Sequence, residues 1–216
     1  MPRLIDLSHP LKDGQPSFPG DPQLSISVHS TVAAGGTNLT RLALGSHQGT
    51  HLDVPFHIFD TGPTLDRVPL ERFFGPARLI DLAPGGALAA RTPIGPDWFE
   101  PHAEAFQPGA RVLYRTGWDR TFGRAEFFTD YPTLTVAAAQ WIAERRIGLL
   151  GMDTPTPGQE WRECHETLMR EGVEIVLVEG LANLDRLPAA FTWIGFPLNF
   201  AGRDGSPIRA VALVDD

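Results

Sequence analysis

Three of the seven histidines and one aspartate fall within twelve residues, Ser46-His47-Gln48-Gly49-Thr50-His51-Leu52-Asp53-Val54-Pro55-Phe56-His57. Imidazole nitrogen and carboxylate oxygen make the usual ligand set for zinc, manganese or ferrous iron. No packing need gathers these groups so tightly, so the stretch reads as a metal site and the chain as a metal-dependent hydrolase. His47 and His51 are four apart, the spacing that shares one face of a helix and that the helical H-E-x-x-H zinc motif uses. Here Gln48 stands where that motif carries its glutamate base. Gly49 and Thr50 disfavour a helix and Pro55 blocks one, so the motif is expected on an irregular loop or a strand end. Residues two apart on extended chain face the same way. His51 and Asp53 then reach one ion together, with His47 folded back by the flexible Gly49.

Two later residues are candidates to complete the shell. Residues 163–172 read as a helix stopped by Gly172, and they carry His165. Residues 174–179 read as a buried strand ending in Glu179. A helix and the strand it precedes pack together, so both side chains can aim at one place. Alone, His165 could be a solvated helix residue and Glu179 the partner of an arginine. A carboxylate after Ile175-Val176-Leu177-Val178 nevertheless needs a compensating partner, and a cation serves.

The elements that must position these groups are strand-rich. Strands are expected at residues 4–8, 24–28 (alternating, half-buried), 39–44, 77–82, 111–115, 148–152, 191–200 and 208–214. One or two helical turns are expected at residues 68–74 and a short helix at 98–106. The clearest helix, residues 135–146, has Trp141 and Ile142 on its apolar stripe and Thr133 or Thr135 as cap. Residues 84–96 read as loop, and Gly202-Arg203-Asp204-Gly205-Ser206-Pro207 as a turn by composition. Strands outnumber helices in mixed order, which predicts an α/β layered fold around a mixed sheet.

The chain has 216 residues, 42% of them hydrophobic, enough for one core and one domain spanning 1–216. Its 22 glycines and 20 prolines predict many turns. A net charge of −8 argues against a nucleic-acid surface. One cysteine, Cys164, excludes an internal disulfide framework and fits a reducing cytoplasm. The opening residues hold no signal-peptide run, and no window approaches the roughly 20 apolar residues of a membrane helix.

The run from His47 to His57 resembles the H-x-G-T-H-x-D-x-P-x-H signature of the cyclase family, which includes bacterial kynurenine formamidases and isatin hydrolases. The likeness extends to Phe18-Pro19-Gly20-Asp21-Pro22, Gly151-Met152-Asp153-Thr154-Pro155, Glu179-Gly180-Leu181-Ala182-Asn183-Leu184 and Asp204-Gly205-Ser206-Pro207-Ile208-Arg209. It implies a swivelling β/β/α fold and a homodimer or larger oligomer. It implies His47, His51 and Asp53 as ligands, Asp53 bridging to a second ion completed by His165 and Glu179, and His57 as a proton-transfer residue. The cofactor would be Zn²⁺ or Mn²⁺, one or two per chain. The expected reaction is hydrolysis of an amide or formyl C–N bond, N-formylkynurenine giving kynurenine and formate, with Phe18 and Phe56 as candidate apolar walls for an aromatic substrate. Core packing is the competing role for both phenylalanines. A cyclic amide of the isatin kind is an alternative substrate, and a non-catalytic metal- or ligand-binding protein is the alternative of another class. A purely structural metal site would prefer four closed ligands, commonly cysteines, and Cys164 stands alone.

Overall fold

The computed structural model describes residues 1–215. In chain order the strands are β1 Arg3–Asp6, β2 Ser25–Ser30, β3 Leu39–Ala43, β4 His51–Asp53, β5 Phe74–Asp81, β6 Pro93–Ile94 and β7 Arg111–Arg115, then β8 Thr133–Leu134, β9 Leu149–Met152, β10 Val176–Glu179, β11 Ala190–Ile194, β12 Gly205–Pro207 and β13 Val211–Val214. The α-helices are α1 Glu126–Thr129, α2 Val136–Glu144 and α3 Trp161–Met169. Nine strands form one mixed sheet in the order β1-β13-β11-β5-β7-β9-β10-β4-β12. Its centre, β5-β7-β9-β10, is parallel, and the flanking pairs are antiparallel. Parallel strands need crossovers that cover the sheet, so β9 and β10 are buried along their whole length.

The two-residue alternation of strands divides the core between two faces. Val112, Tyr114, Leu150, Met152 and Leu177 meet Ala138, Ala139 and Ile142 of α2 and Cys164, Leu168 and Met169 of α3. Leu113, Leu149, Val176 and Val178 point the other way, toward Leu52, Trp193 and Ala212. Each large apolar side chain taken fully out of water contributes roughly 1.5–3 kcal/mol. Thr135 starts α2: its hydroxyl accepts from the Ala138 N–H at 3.2 Å, satisfying one of the helix's first orphan donors.

The sheet corrects four local expectations. Residues 202–207 are not simply a turn, because Gly205–Pro207 forms edge strand β12 on β4. A Cβ at Gly205 would come within 2.6 Å of the Leu52 carbonyl oxygen, so glycine is what admits this close approach. The strand expected over 191–200 ends at Ile194, before Pro197, which lacks the N–H a ladder needs. Helix α3 spans Trp161–Met169 rather than 163–172, and the chain leaves it before Gly172. Strand β2 pairs only with β3, in a ribbon outside the main sheet. Val28 is therefore 74% exposed where alternation had suggested a half-buried strand.

Candidate metal centre and substrate cavity

Strand register brings the distant parts of the site together. In the antiparallel pair β4/β10, Glu179 lies opposite His51 and Leu177 opposite Asp53. Leu52, between the two polar residues, packs into the opposite core. His51, Asp53 and Glu179 therefore share the sheet face that α3 covers, and α3 brings down His165. Gly49, at φ +67°, turns the chain just before β4, and a Cβ there would lie 2.5 Å from the Leu11 side chain. Thr50 locks that turn, its hydroxyl donating to the Gly180 carbonyl at 2.6 Å.

Two imidazoles have their tautomers set by the backbone. His51 Nδ1 donates to the Gly49 carbonyl at 2.9 Å, and His165 Nδ1 donates to the Trp161 carbonyl at 2.7 Å. Both Nε2 atoms then face carboxylate oxygens. His51 Nε2 lies 3.4 Å from Asp53 Oδ1 and 3.4 Å from Glu179 Oε2. His165 Nε2 lies 3.4 Å from Glu179 Oε1 and 3.6 Å from Asp53 Oδ2. All four residues are at most 5% exposed. Asp53 Oδ2, His165 Nε2 and Glu179 Oε1 are buried without a hydrogen-bond partner. Buried polar atoms are normally satisfied; once His165 Nε2 gives up its proton, these atoms are acceptors turned on one another and fit a cation between them. Two ligand atoms each about 2.1 Å from one ion at a tetrahedral angle lie about 3.4 Å apart, so the donor set fits a divalent metal.

His47 bridges a second group. Its Nδ1 is 2.6 Å from Asp53 Oδ1 and its Nε2 is 2.6 Å from Asp204 Oδ2. His57 stands beside it, ring centroids 4.0 Å apart, with Nδ1 3.8 Å from Asp204 Oδ2. The ligand atoms of His47, Asp53 and His57 lie within 4.8 Å of one another, as do those of His51, Asp53 and Glu179, so Asp53 is common to two candidate cation groups.

The electrostatics match a site short of positive charge. Burial opposes ionisation of His47, but the Asp53 and Asp204 carboxylates outweigh it and raise that imidazole to about 11. His165 is likewise raised to about 10 against its burial by Asp53 and Glu179, and His51 is raised by the same two carboxylates. Burial works against the Asp53 anion, yet His47 and His51 hold it well below the usual carboxylate range. The hydrogen bond from His47, with the His57 imidazole close by, does the same for Asp204.

The cluster forms the floor of a cavity of about 300 Å³. Phe18 is in its wall, together with Phe122, Phe127, Phe128 and Trp161. Phe18 meets Phe128 edge-on at 6.2 Å, and His9 stacks behind Phe122 at 3.7 Å. Phe56 is not in the wall and packs against the opposite core, the competing role expected for it. His57, the next residue, lines the cavity while Phe56 does not; the chain turns between them through a short 3-10 helix at Pro55–His57. Buried Asp153 anchors the segment carrying Phe122: its carboxylate accepts from the Thr116 and Gly117 N–H groups at 3.0 and 2.7 Å. Burial raises Asp153 to about 6 against those donors.

The structure thus brings His47, His51, Asp53, His57, His165, Glu179 and Phe18 to one cavity and leaves Phe56 outside it. Sequence reasoning missed Asp204, although it begins the Asp204-Gly205-Ser206-Pro207 run already singled out. It also missed Phe122, Phe127 and Phe128, for which no spacing gave a signal.

An imidazole–carboxylate cluster that could hold a metal, beneath an aromatic cavity on a mixed sheet, makes this an α/β protein with a candidate metal site. The chain belongs to the cyclase family: residues 5–159 match the family model described as "Putative cyclase". It is 31% identical to a kynurenine formamidase of Bordetella petrii, over 98% of this chain and 98% of that protein. The solved structure of isatin hydrolase A from Labrenzia aggregata, bound to benzyl benzoate, superposes with a TM-score of 0.86 at 28% identity, covering 100% of this chain and 94% of the other. A structure titled as a potential metal-dependent hydrolase with cyclase activity gives a TM-score of 0.80 at 25% identity, covering 100% of both chains.

Proposed function

We propose that this chain is a metal-dependent hydrolase of a carbon–nitrogen bond in an aryl formamide, with N-formylkynurenine as substrate and kynurenine and formate as products. The observation that carries the reading is the group of buried, unpartnered atoms on Asp53, His165 and Glu179 at the floor of an aromatic cavity. His51, His165, Glu179 and Asp53 would hold one divalent ion, and Asp53 with His47 would hold a second where two are present. When bound, Zn²⁺ or Mn²⁺ supplies a Lewis acid that polarises a carbonyl and lets water act as a nucleophile near neutral pH.

The protein's own groups do the rest. Phe18, Phe122, Phe127 and Phe128 take the aromatic ring and keep water from it. The formyl carbon gains oxygen from water and loses its bond to nitrogen, and the departing nitrogen must gain a proton. His57 delivers that proton from Nε2, since its Nδ1 side faces Asp204. Asp204 orients the imidazoles of both His47 and His57.

A cyclic amide of the isatin kind is the second reading, favoured by the TM-score of 0.86 to an isatin hydrolase. Hairpin β2–β3 exposes Val28, Leu39 and Leu42, which supports a homodimer that covers them. Among the described residues no helix is long and apolar enough to cross a membrane, and the lone thiol supports a cytoplasmic setting. The test is elemental analysis of the purified protein beside assays on N-formylkynurenine and isatin, each followed by ultraviolet absorbance. Full activity without stoichiometric metal would overturn the mechanism, and hydrolysis of isatin alone would select the second reading.

A further inference from the structure

Gln48 sits between His47 and Gly49, is 3% exposed, and lines the cavity. Its side-chain oxygen is engaged: Ser17 Oγ donates to Gln48 Oε1 at 2.8 Å. Among the described residues this is the one side-chain hydrogen bond tying residues 16–22, which carry Phe18, to the rest of the chain. Among the described residues no hydrogen bond engages the Gln48 amide nitrogen. An amide NH₂ has two donors, and Gln48 lines the cavity, where an acceptor on a bound ligand can reach them. The residue is therefore half satisfied, with its free half at the cavity and one residue from the metal centre.

We propose that Gln48 is a specificity-determining residue: held by Ser17 through its oxygen, it offers its NH₂ to an acceptor oxygen on the substrate, next to the scissile amide. The ligand class is an aromatic amide or amine with a carbonyl ortho to nitrogen. The inference rests on the aryl-amide reading of the cavity. It adds that the ring must carry a hydrogen-bond acceptor, which the aromatic walls alone do not demand. Sites built to hydrogen-bond a ligand reject analogues that lack the group more sharply than apolar pockets reject a change of size.

The test pairs 2-aminoacetophenone with 2-ethylaniline, rings of similar shape with and without the acceptor, titrated calorimetrically into metal-loaded wild type, Q48L and Q48E. Wild type should bind the ketone about fivefold more tightly, the worth of one neutral hydrogen bond. Q48L should abolish that gap. Q48E keeps an acceptor for Ser17 but has no N–H, so it should abolish or invert the gap. If Gln48 serves only to tie the loop, Q48E keeps the wild-type gap and the inference falls. Equal affinities in wild type overturn it as well. Metal content by elemental analysis confirms that each variant retains its site, and Q48E decides should Q48L fail to fold. Wild-type turnover of formanilide and its ortho-acetyl derivative is measured alongside. Hydrolysis of neither, with the binding gap intact, would remove the formamidase reading and leave Gln48 as the ring's selector.

Discussion

Loading the metal centre at pH 7 should expel at least two protons per chain. His47 is raised to about 11 and His165 to about 10, so in metal-free protein both imidazoles are charged at neutral pH. A nitrogen cannot hold a proton and an ion together. For His165 the proton lost is that on Nε2, because Nδ1 is committed to the Trp161 carbonyl at 2.7 Å. His51, raised in the same way, adds up to a third. Each proton displaced makes apparent affinity rise about tenfold, ~1.4 kcal/mol, per pH unit, so saturating both groups should become about 100-fold more favourable per unit from pH 7 to 9. The count is read by adding zinc or manganese to weakly buffered protein with an indicator dye, or by calorimetry in two buffers of different protonation enthalpy. Release of fewer than one proton per chain at saturation would mean that these imidazoles are not ligands, and the reasoning would fail. Stability follows with a fixed sign. An imidazole whose folded-state pKa is raised stabilises the metal-free protein in full below its ordinary value near 6.5, and that stabilisation fades as pH rises toward 10 and 11. The Tm gained on adding metal should therefore widen with pH between 6.5 and 10.

Asp53→Asn should remove both bound metal and turnover, because both candidate groups share this residue; retention of stoichiometric metal would contradict that sharing. His57→Ala should keep the metal and lose about 10²–10⁴ in kcat, the range of a lost general acid, and a wild-type rate would remove the proton-donor role. Asp153→Ala strands the buried N–H groups of Thr116 and Gly117. At ~1–3 kcal/mol for each stranded donor and about 2–4 °C per kcal/mol in a chain of this size, Tm should fall by at least about 4 °C. An unchanged melting curve would show that the anchor is dispensable.

Much of the site was legible because its information is local. His47, His51, Asp53 and His57 lie within one turn of chain, where residue type and two-residue alternation suffice to place donors on one side. Glu179 was legible for another reason: a charge at the end of an apolar strand conflicts with burial unless something answers it. The central strands β9 and β10 were legible as strands from continuous apolar runs such as Leu149–Met152, but their parallel pairing was not. Composition failed at Gly205–Pro207, where turn-forming residues make an edge strand whose ladder partner lies about 150 positions away in sequence. Periodicity failed at β2, since alternation reports a pleat and not whether a second layer covers it.

Residue order by itself determined the chemistry available here: which donors exist, that they are nitrogen and oxygen, and that a hydrolytic metal suits them. The fold decided which of them meet. Register on β4 and β10 set Glu179 against His51, α3 lowered His165 onto both, and β12 carried Asp204 to His47 and His57. It also turned Phe56 into the core and raised Phe122, Phe127 and Phe128 over the cavity in its place. The division is physical: local conformation follows from steric limits on neighbouring residues, whereas contacts between remote strands depend on register and layer packing, which no short stretch encodes.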